Sequence, residues 1–237
     1  MLRYLQQTAV NEIGVYGQHL ITEAKVLVVG AGGLGVPVAT YLAAMGIGEI
    51  GIADFDIVQE TNLHRQFAYV PEDIGRYKAE VLSDRLRAQN PTIKVTSHTI
   101  RLSTENAAEI IANYDLVCDC TDTVEARLLL DRMCYDGNKK LVYAAVKGWE
   151  GYVAILHGKA KIKLTDIFSE AELLYESQNT CSIAGVVSTV CGIIGSQQAS
   201  EAIKIILDIE SNLDGSIFCY DGKSNGIKIL RLHKHDI

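Results

Sequence analysis

The stretch Gly30-Ala31-Gly32-Gly33-Leu34-Gly35 carries glycine at the first, third and sixth positions of a tight loop signal. Glycines at this spacing let a backbone turn sharply and approach a phosphate closely. A helix that follows supplies free N–H groups and the positive end of its dipole. Asp54 comes 19 residues after Gly35, where a carboxylate at the end of a second strand can accept from both hydroxyls of a ribose. Asp54-Phe55-Asp56 then leads to Asn62-Leu63-His64-Arg65-Gln66, to Lys78, and to Asp119-Cys120-Thr121-Asp122. A nicotinamide dinucleotide is held mainly by backbone amides at its pyrophosphate. Arg65 and Lys78 are cations suited to a triphosphate, and a carboxylate beside a triphosphate calls for Mg²⁺. The candidate nucleotide-binding set is therefore Gly30, Gly32, Gly33, Gly35, Asp54, Asp56, Asn62, Arg65, Gln66, Lys78 and Asp122. Asp122 is the candidate metal ligand.

These residues need a frame. Lys25–Val29 is a continuous apolar, β-branched run of the kind buried on both faces of a sheet. The glycine turn follows, then a helix over Val36–Met45 and a strand over Glu49–Ala53. Asp56–Tyr77 shows no periodicity. Further on the pattern gives a helix over Lys78–Gln89, a strand over Lys94–Thr99 and a helix over Thr104–Ile111. A strand over Leu116–Cys120, a helix over Glu125–Tyr135 and a strand over Leu141–Ala145 complete this part. Such alternation describes an α/β fold, Rossmann-like and doubly wound, with a mostly parallel sheet. The last third reads differently, as a C-terminal antiparallel extension. Gly151–Leu156, Lys159–Lys163, Ser216–Tyr220 and Ile227–Leu232 look like strands, Thr165–Asn179 like a crossing segment, and Ser182–Leu207 like a long buried helix. Residues 1–23 read as one or two short helices broken at Gly14 and Gly17. No linker or repeat divides the chain, so residues 1–237 are expected to form one domain.

Composition narrows the function classes. Among the 237 residues, Lys and Arg number 22 against 29 Asp and Glu, a net charge of −7. Such a chain lacks the basic footprint of a nucleic-acid binder. Val26–Gly48 has no charged residue, but its six glycines and Pro37 mark a strand–turn–helix rather than a membrane span. The use of the six cysteines, most of them among apolar neighbours, points to a reducing, cytoplasmic setting, and the lack of a CxxC pair excludes a zinc ribbon and a thioredoxin-type motif. The N-terminus has no apolar signal region. Cys118, Cys120, Cys134, Cys191 and Cys219 read as core thiols.

The ordered set of motifs resembles the ubiquitin-activating (E1-like) superfamily, in particular the bacterial MoeB/ThiF/HesA adenylyltransferases. The likeness rests on Arg3-Tyr4, Glu12-Ile13-Gly14, Gly17-Gln18, the glycine loop, Asp54-Phe55-Asp56, Asn62 to Gln66, Gly75 with Lys78, Asn90-Pro91, Asp119 to Asp122, and Gly192 to Lys204. It runs over essentially the whole chain. The resemblance implies binding of ATP with Mg²⁺ and of the C-terminal Gly-Gly tail of a small ubiquitin-like sulfur-carrier protein. It implies transfer of AMP to the tail carboxylate, then acceptance of sulfur from a donor protein, in thiamine or molybdopterin biosynthesis. By position, Gly33 approaches the phosphates and Asp54 holds the ribose. Asn62, Arg65 and Lys78 contact the phosphates, and Asp122 serves the metal. The implied catalytic residues are Arg65, Lys78, Asp122 and Cys181, whose family counterpart can link covalently to the carrier. The relatives are homodimers.

Three departures stand out. Gln6 occupies the place of an Arg that reaches the neighbouring subunit's ATP site in relatives, so either Arg3 substitutes, or activity is weaker, or the task of the protein differs. The zinc-binding CxxC pairs of relatives are missing, so no structural zinc is expected. The crossing segment is short. Rival readings are a nicotinamide-dependent oxidoreductase, the tRNA-modifying branch of the superfamily, and a non-catalytic binding module of the same fold.

Overall fold

The computed structural model describes residues 2–169, 172 and 185–232. One sheet of eight strands organises them, in the order β3-β2-β1-β4-β5-β6-β7-β8. The strands are β1 (Lys25–Val29), β2 (Glu49–Ala53), β3 (Lys94–His98), β4 (Leu116–Asp119), β5 (Lys140–Lys147), β6 (Glu150–Leu156), β7 (Ser216–Asp221) and β8 (Gly226–Arg231). The five from β3 to β5 are parallel, and β6, β7 and β8 add on antiparallel. The expected architecture is what the chain forms.

Helices cover both faces, which is why β1 reads as an unbroken apolar run. The described α-helices are α1 (Leu5–Thr8), α2 (Gly14–Glu23), α3 (Gly35–Met45), α4 (Lys78–Gln89), α5 (Ala107–Ala112), α6 (Val124–Asp136), α7 (Leu164–Ile167) and α8 (Ser188–Ile206). Alternate residues of a strand point to opposite faces. Val26, Val28, Ile50, Ile52 and Cys118 pack with α3, α4 and α8 on one side. Leu27, Val29 and Val117 pack with α5 and α6 on the other.

Strand order changes direction at β1, with β2 on one flank and β4 on the other. Ligands of open α/β sheets bind at such a switch point, beyond the carboxyl ends of the strands. Val29 is level with both Ala53 and Asp119, and Ala53 with His98. The loops leaving β1, β2 and β4 therefore start side by side, and they carry Gly30, Asp54 and Cys120.

Several details differ from the sequence reading. Gly14 does start α2, with φ +56°, but Gly17 lies inside that helix rather than breaking it. A Cβ at Gly17 would stand 3.0 Å from Leu207 Cδ2, so close packing explains that glycine. Lys159–Lys163 is a turn, not a strand. The N–H groups of Lys159 and Ala160 donate to the Asp214 carboxylate at 2.7 and 2.8 Å, and His157 N–H donates to Ile162 O. The helix expected from Thr104 starts at Ala107, because Asn106 turns its side chain to the Ser103 N–H. The long C-terminal helix starts at Ser188, not Ser182: Gly185 has φ +67° and Val186 bridges to Gly148.

α8 is tied to the sheet by Gln198, which is fully buried. Its Nε2 donates to Asp119 O and Val142 O, both at 2.8 Å, and its Oε1 accepts from Cys120 Sγ at 3.4 Å. Gln198→Leu keeps the bulk and removes the donor to two buried carbonyls. It is expected to lower the stability by about 2 kcal/mol or more, read from urea unfolding midpoints. A variant as stable as the parent would show that these bonds contribute nothing net.

Candidate active site

At Gly30 and Gly35 backbone contacts leave no room for a side chain. Gly30 has φ +96°, and a Cβ there would lie 2.6 Å from Cys120 O. A Cβ on Gly35 would lie 1.8 Å from Gly30 O. Two side chains pin the peptide units around Ala31. Asp54 Oδ2 accepts from Ala31 N–H at 2.7 Å, and Ala31 O accepts from the Tyr69 hydroxyl at 2.7 Å. Asp54 Oδ1 takes the Asp56 N–H at 2.7 Å. Among the described residues, nothing accepts from the N–H groups of Gly32 or Gly33. These donors stand beside the N-terminus of α3, where backbone N–H groups can receive an anion.

Each Asp54 oxygen accepts one of these backbone N–H bonds and keeps a further lone pair, as a ribose hydroxyl would need. Burial pushes its carboxyl above the ordinary carboxylate range, against the opposing pull of the Ala31 N–H and the Lys78 charge. Lys78 opens α4 and is 6% exposed. Its Nζ pairs with Asp56 Oδ2 at 3.0 Å. Arg65 lays its aliphatic stem near Gly33: a Cβ on that glycine would stand 3.6 Å from Arg65 Cδ. Its Nη1 donates to Thr61 O at 3.0 Å and lies 2.9 Å from His64 Nε2. Gln66 is buried beside Gly32, and its Oε1 has no hydrogen-bond partner among the described residues. Asn62 is buried too, and its Oδ1 takes the Gln59 N–H at 3.1 Å, which shapes the turn that presents Arg65. Asp122 is exposed just past the end of β4, without a hydrogen bond or ion pair among the described residues.

This donor set fits a nucleoside triphosphate with Mg²⁺. The Gly32 and Gly33 N–H groups are free among the described residues, Arg65 runs alongside Gly33, and Lys78 opens α4 paired with Asp56. A single unpaired carboxylate suits Mg²⁺, which takes one or two carboxylates and completes its shell with phosphate oxygens and water. The described residues hold no group of three His, Cys, Asp or Glu that could hold an ion alone. A concavity of about 840 Å³ elsewhere, by Ala160, Glu210, Asp214 and Arg231, offers no such set, since the Asp214 carboxylate is taken up by Lys159 and Ala160.

The connection from β2 to α4, which carries Asn62, Arg65 and Gln66 in its first half, is tied to α4 in its second half by Asp73 through Arg85. Burial alone would raise the Asp73 carboxyl, but the Val70 N–H, Arg85 and Arg76 hold it below the ordinary range. A depressed carboxylate stabilises the fold fully above the unfolded pKa of about 4. That contribution fades as pH falls through the lower folded value. Asp73→Asn is thus expected to be less stable than the parent at pH 7 and to close the gap below about pH 4. Urea midpoints across that range test it, and a gap that does not depend on pH would rule the role out.

Sequence reasoning missed three residues here. Tyr69 and Gln198 were not singled out. Cys191 read as core, and it is buried, but its Sγ also lies against the loop: a Cβ on Gly33 would meet it at 3.0 Å. Burial pushes this thiol up to about 11, against the pull of Arg65. Cys191, Gly195 and Gln198 are four and three residues apart, one face of a helix, and that spacing was the available signal. Cys181 lies outside the described residues. Arg3 donates to Gln89 O at 3.1 Å, at the C-terminal end of α4. Lys78 opens the same helix roughly 16 Å away along the axis, so Arg3 does not reach the glycine loop of its own chain.

Comparison with known proteins places this geometry. The model of the ThiF family matches residues 4–236. The adenylyltransferase and sulfurtransferase MOCS3 of Caenorhabditis briggsae is 38% identical over 99% of this chain, and the chain spans 58% of that protein. The sulfur carrier protein adenylyltransferase of Thermus thermophilus is 37% identical, with 98% of this chain and 88% of that protein covered. Among solved structures, E. coli MccB with ATP superposes with a TM-score of 0.81 at 20% identity, over 99% of this chain and 73% of that one. At that identity the likeness is one of fold.

Proposed function

The chain belongs to the ThiF family, and from that premise we propose that it is an ATP-dependent adenylyltransferase acting on the C-terminal Gly-Gly carboxylate of a small ubiquitin-like sulfur-carrier protein. The observation that carries the reading is the pair of loop N–H groups at Gly32 and Gly33, unpartnered among the described residues, with Arg65 alongside Gly33. The names of the Thermus and Caenorhabditis relatives support the choice of reaction and carrier. The ATP complex of MccB supports the choice of nucleotide.

In the proposed reaction a carrier carboxylate oxygen bonds to the α-phosphorus of ATP while the bond to the β-phosphate bridging oxygen breaks. Pyrophosphate leaves; a sulfur nucleophile of a donor protein then bonds to the acyl carbon of the adenylate as the bond to the phosphate oxygen breaks, and AMP leaves. The attacking carboxylate is already ionised at neutral pH, so no general base is needed. The work of the site is positioning and charge neutralisation. Asp54 orients the ribose, the loop amides and Lys78 hold the phosphates, and Arg65 offsets the charge that gathers during attack. Bound at Asp122, Mg²⁺ would supply further neutralisation of phosphate oxygens.

We place this single adenylation domain in the cytoplasm, as a homodimer without structural zinc. No helix among the described residues is long and apolar enough to cross a membrane. Calorimetric titration with ATP and with NAD tests the nucleotide, and ATP–pyrophosphate exchange with a Gly-Gly carrier tests the chemistry. Binding of NAD without ATP would sink the proposal. Elemental analysis tests the zinc expectation, and one zinc per chain would overturn it.

A further inference from the structure

Tyr69 has no part in the chemistry just described, yet its hydroxyl ends on the glycine loop. The ring is 4% exposed and sits in the core cluster with Ala31, Val58 and Ala79. Its O–H donates to Ala31 O at 2.7 Å, and Lys78 O lies farther off at 3.4 Å. In a trans peptide the carbonyl and the N–H point in opposite directions. Fixing the Ala31 carbonyl toward Tyr69 therefore fixes the Gly32 N–H away from it. The preceding peptide unit is held by Asp54 through the Ala31 N–H. Glycine has little torsional preference of its own, so the plane between Ala31 and Gly32 would turn easily without such a tether.

We infer that Tyr69 is a positioning residue: through the Ala31 carbonyl, its hydroxyl holds the Gly32 N–H toward the phosphates of the bound nucleotide. The inference rests on the nucleotide reading above. It makes a distinction that a merely structural tyrosine would not, because the effect must follow the phosphates and spare the nucleoside.

Tyr69→Phe removes the hydroxyl and keeps the ring. Binding of ATP and of adenosine to the full chain, measured by ligand-observed NMR on parent and variant, gives the test. ATP affinity is expected to fall about tenfold, the equivalent of one buried hydrogen bond, and adenosine affinity by less than about twofold on the same scale. Circular dichroism and thermal unfolding should show a folded variant. Equal losses for ATP and adenosine would make Tyr69 a structural residue and overturn the inference, as would an undiminished ATP affinity. A parent that binds no ATP would instead bring down the proposed function, and the role of Tyr69 with it.

Discussion

Arg65→Ala is expected to cut ATP–pyrophosphate exchange about 10²-fold or more, because it removes a preorganised cation from a site where negative charge accumulates. Its guanidinium is tethered by Thr61 O, and its stem runs beside Gly33, so little rearrangement is needed before it acts. The fold should survive, since Arg65 is half-buried and makes no ion pair with a carboxylate among the described residues. Asp122→Ala should give a loss of the same order through the metal, and its exposed carboxylate bears on no described contact. Arg65→Lys should recover part of the rate but not all, since Lys offers a point charge without the planar fork. If Arg65→Ala and Asp122→Ala both exchange at the parental rate, the phosphates do not lie where the loop amides point.

Gly35→Ala should have the largest effect on the protein itself. The added carbon would stand 1.8 Å from Gly30 O, a backbone atom that cannot swing aside. Either the loop opens or α3 shifts, at about 3 kcal/mol or more, and ATP binding should fall below detection. Two other glycines calibrate the result. At Gly33 the obstacle is the Cys191 thiol at 3.0 Å, which can give way, so Gly33→Ala should be milder. At Gly192, inside α8, no described atom lies within 4 Å of the added carbon. Gly192→Ala should leave stability unchanged or raise it by up to about 1 kcal/mol. Equal damage at all three positions would mean that the crowding at Gly35 is not what decides. Thermal unfolding and calorimetry read these outcomes directly.

The contrast among glycines shows what the sequence can and cannot display. The loop, the strand before it and Asp54 were legible because their spacing follows from one steric problem, a tight turn between strand and helix where a Cβ at Gly30 or Gly35 would meet backbone. β1, β2 and α4 were read to the residue, since their apolar patterns answer to burial on a known period. Lys159–Lys163 failed because its backbone N–H groups are satisfied by Asp214, more than 50 residues away, and no local pattern records that. Tyr69 was invisible for the same reason: its bond to Ala31 spans 38 residues. Gly17 looked like a helix breaker because the reason for it, Leu207, arrives from the far end of the chain. The candidate site was thus readable where a residue's role lies in its own type and spacing. It was hidden where the role is to hold another residue still.

The register at the switch point also governs when the site can come into being during synthesis. β1 pairs with β2 after a short excursion, but Val26 meets Leu116 only after about ninety intervening residues. Contacts of that sequence separation are slow to form and must await the emergence of the later strand from the ribosome. Gly30, whose close neighbour is the Cys120 carbonyl, cannot settle into its final shape before then. α8 closes the other side of the loop later still, from Ser188 onward. On the proposed function, a nascent chain cut short before β4 should therefore hold no ATP.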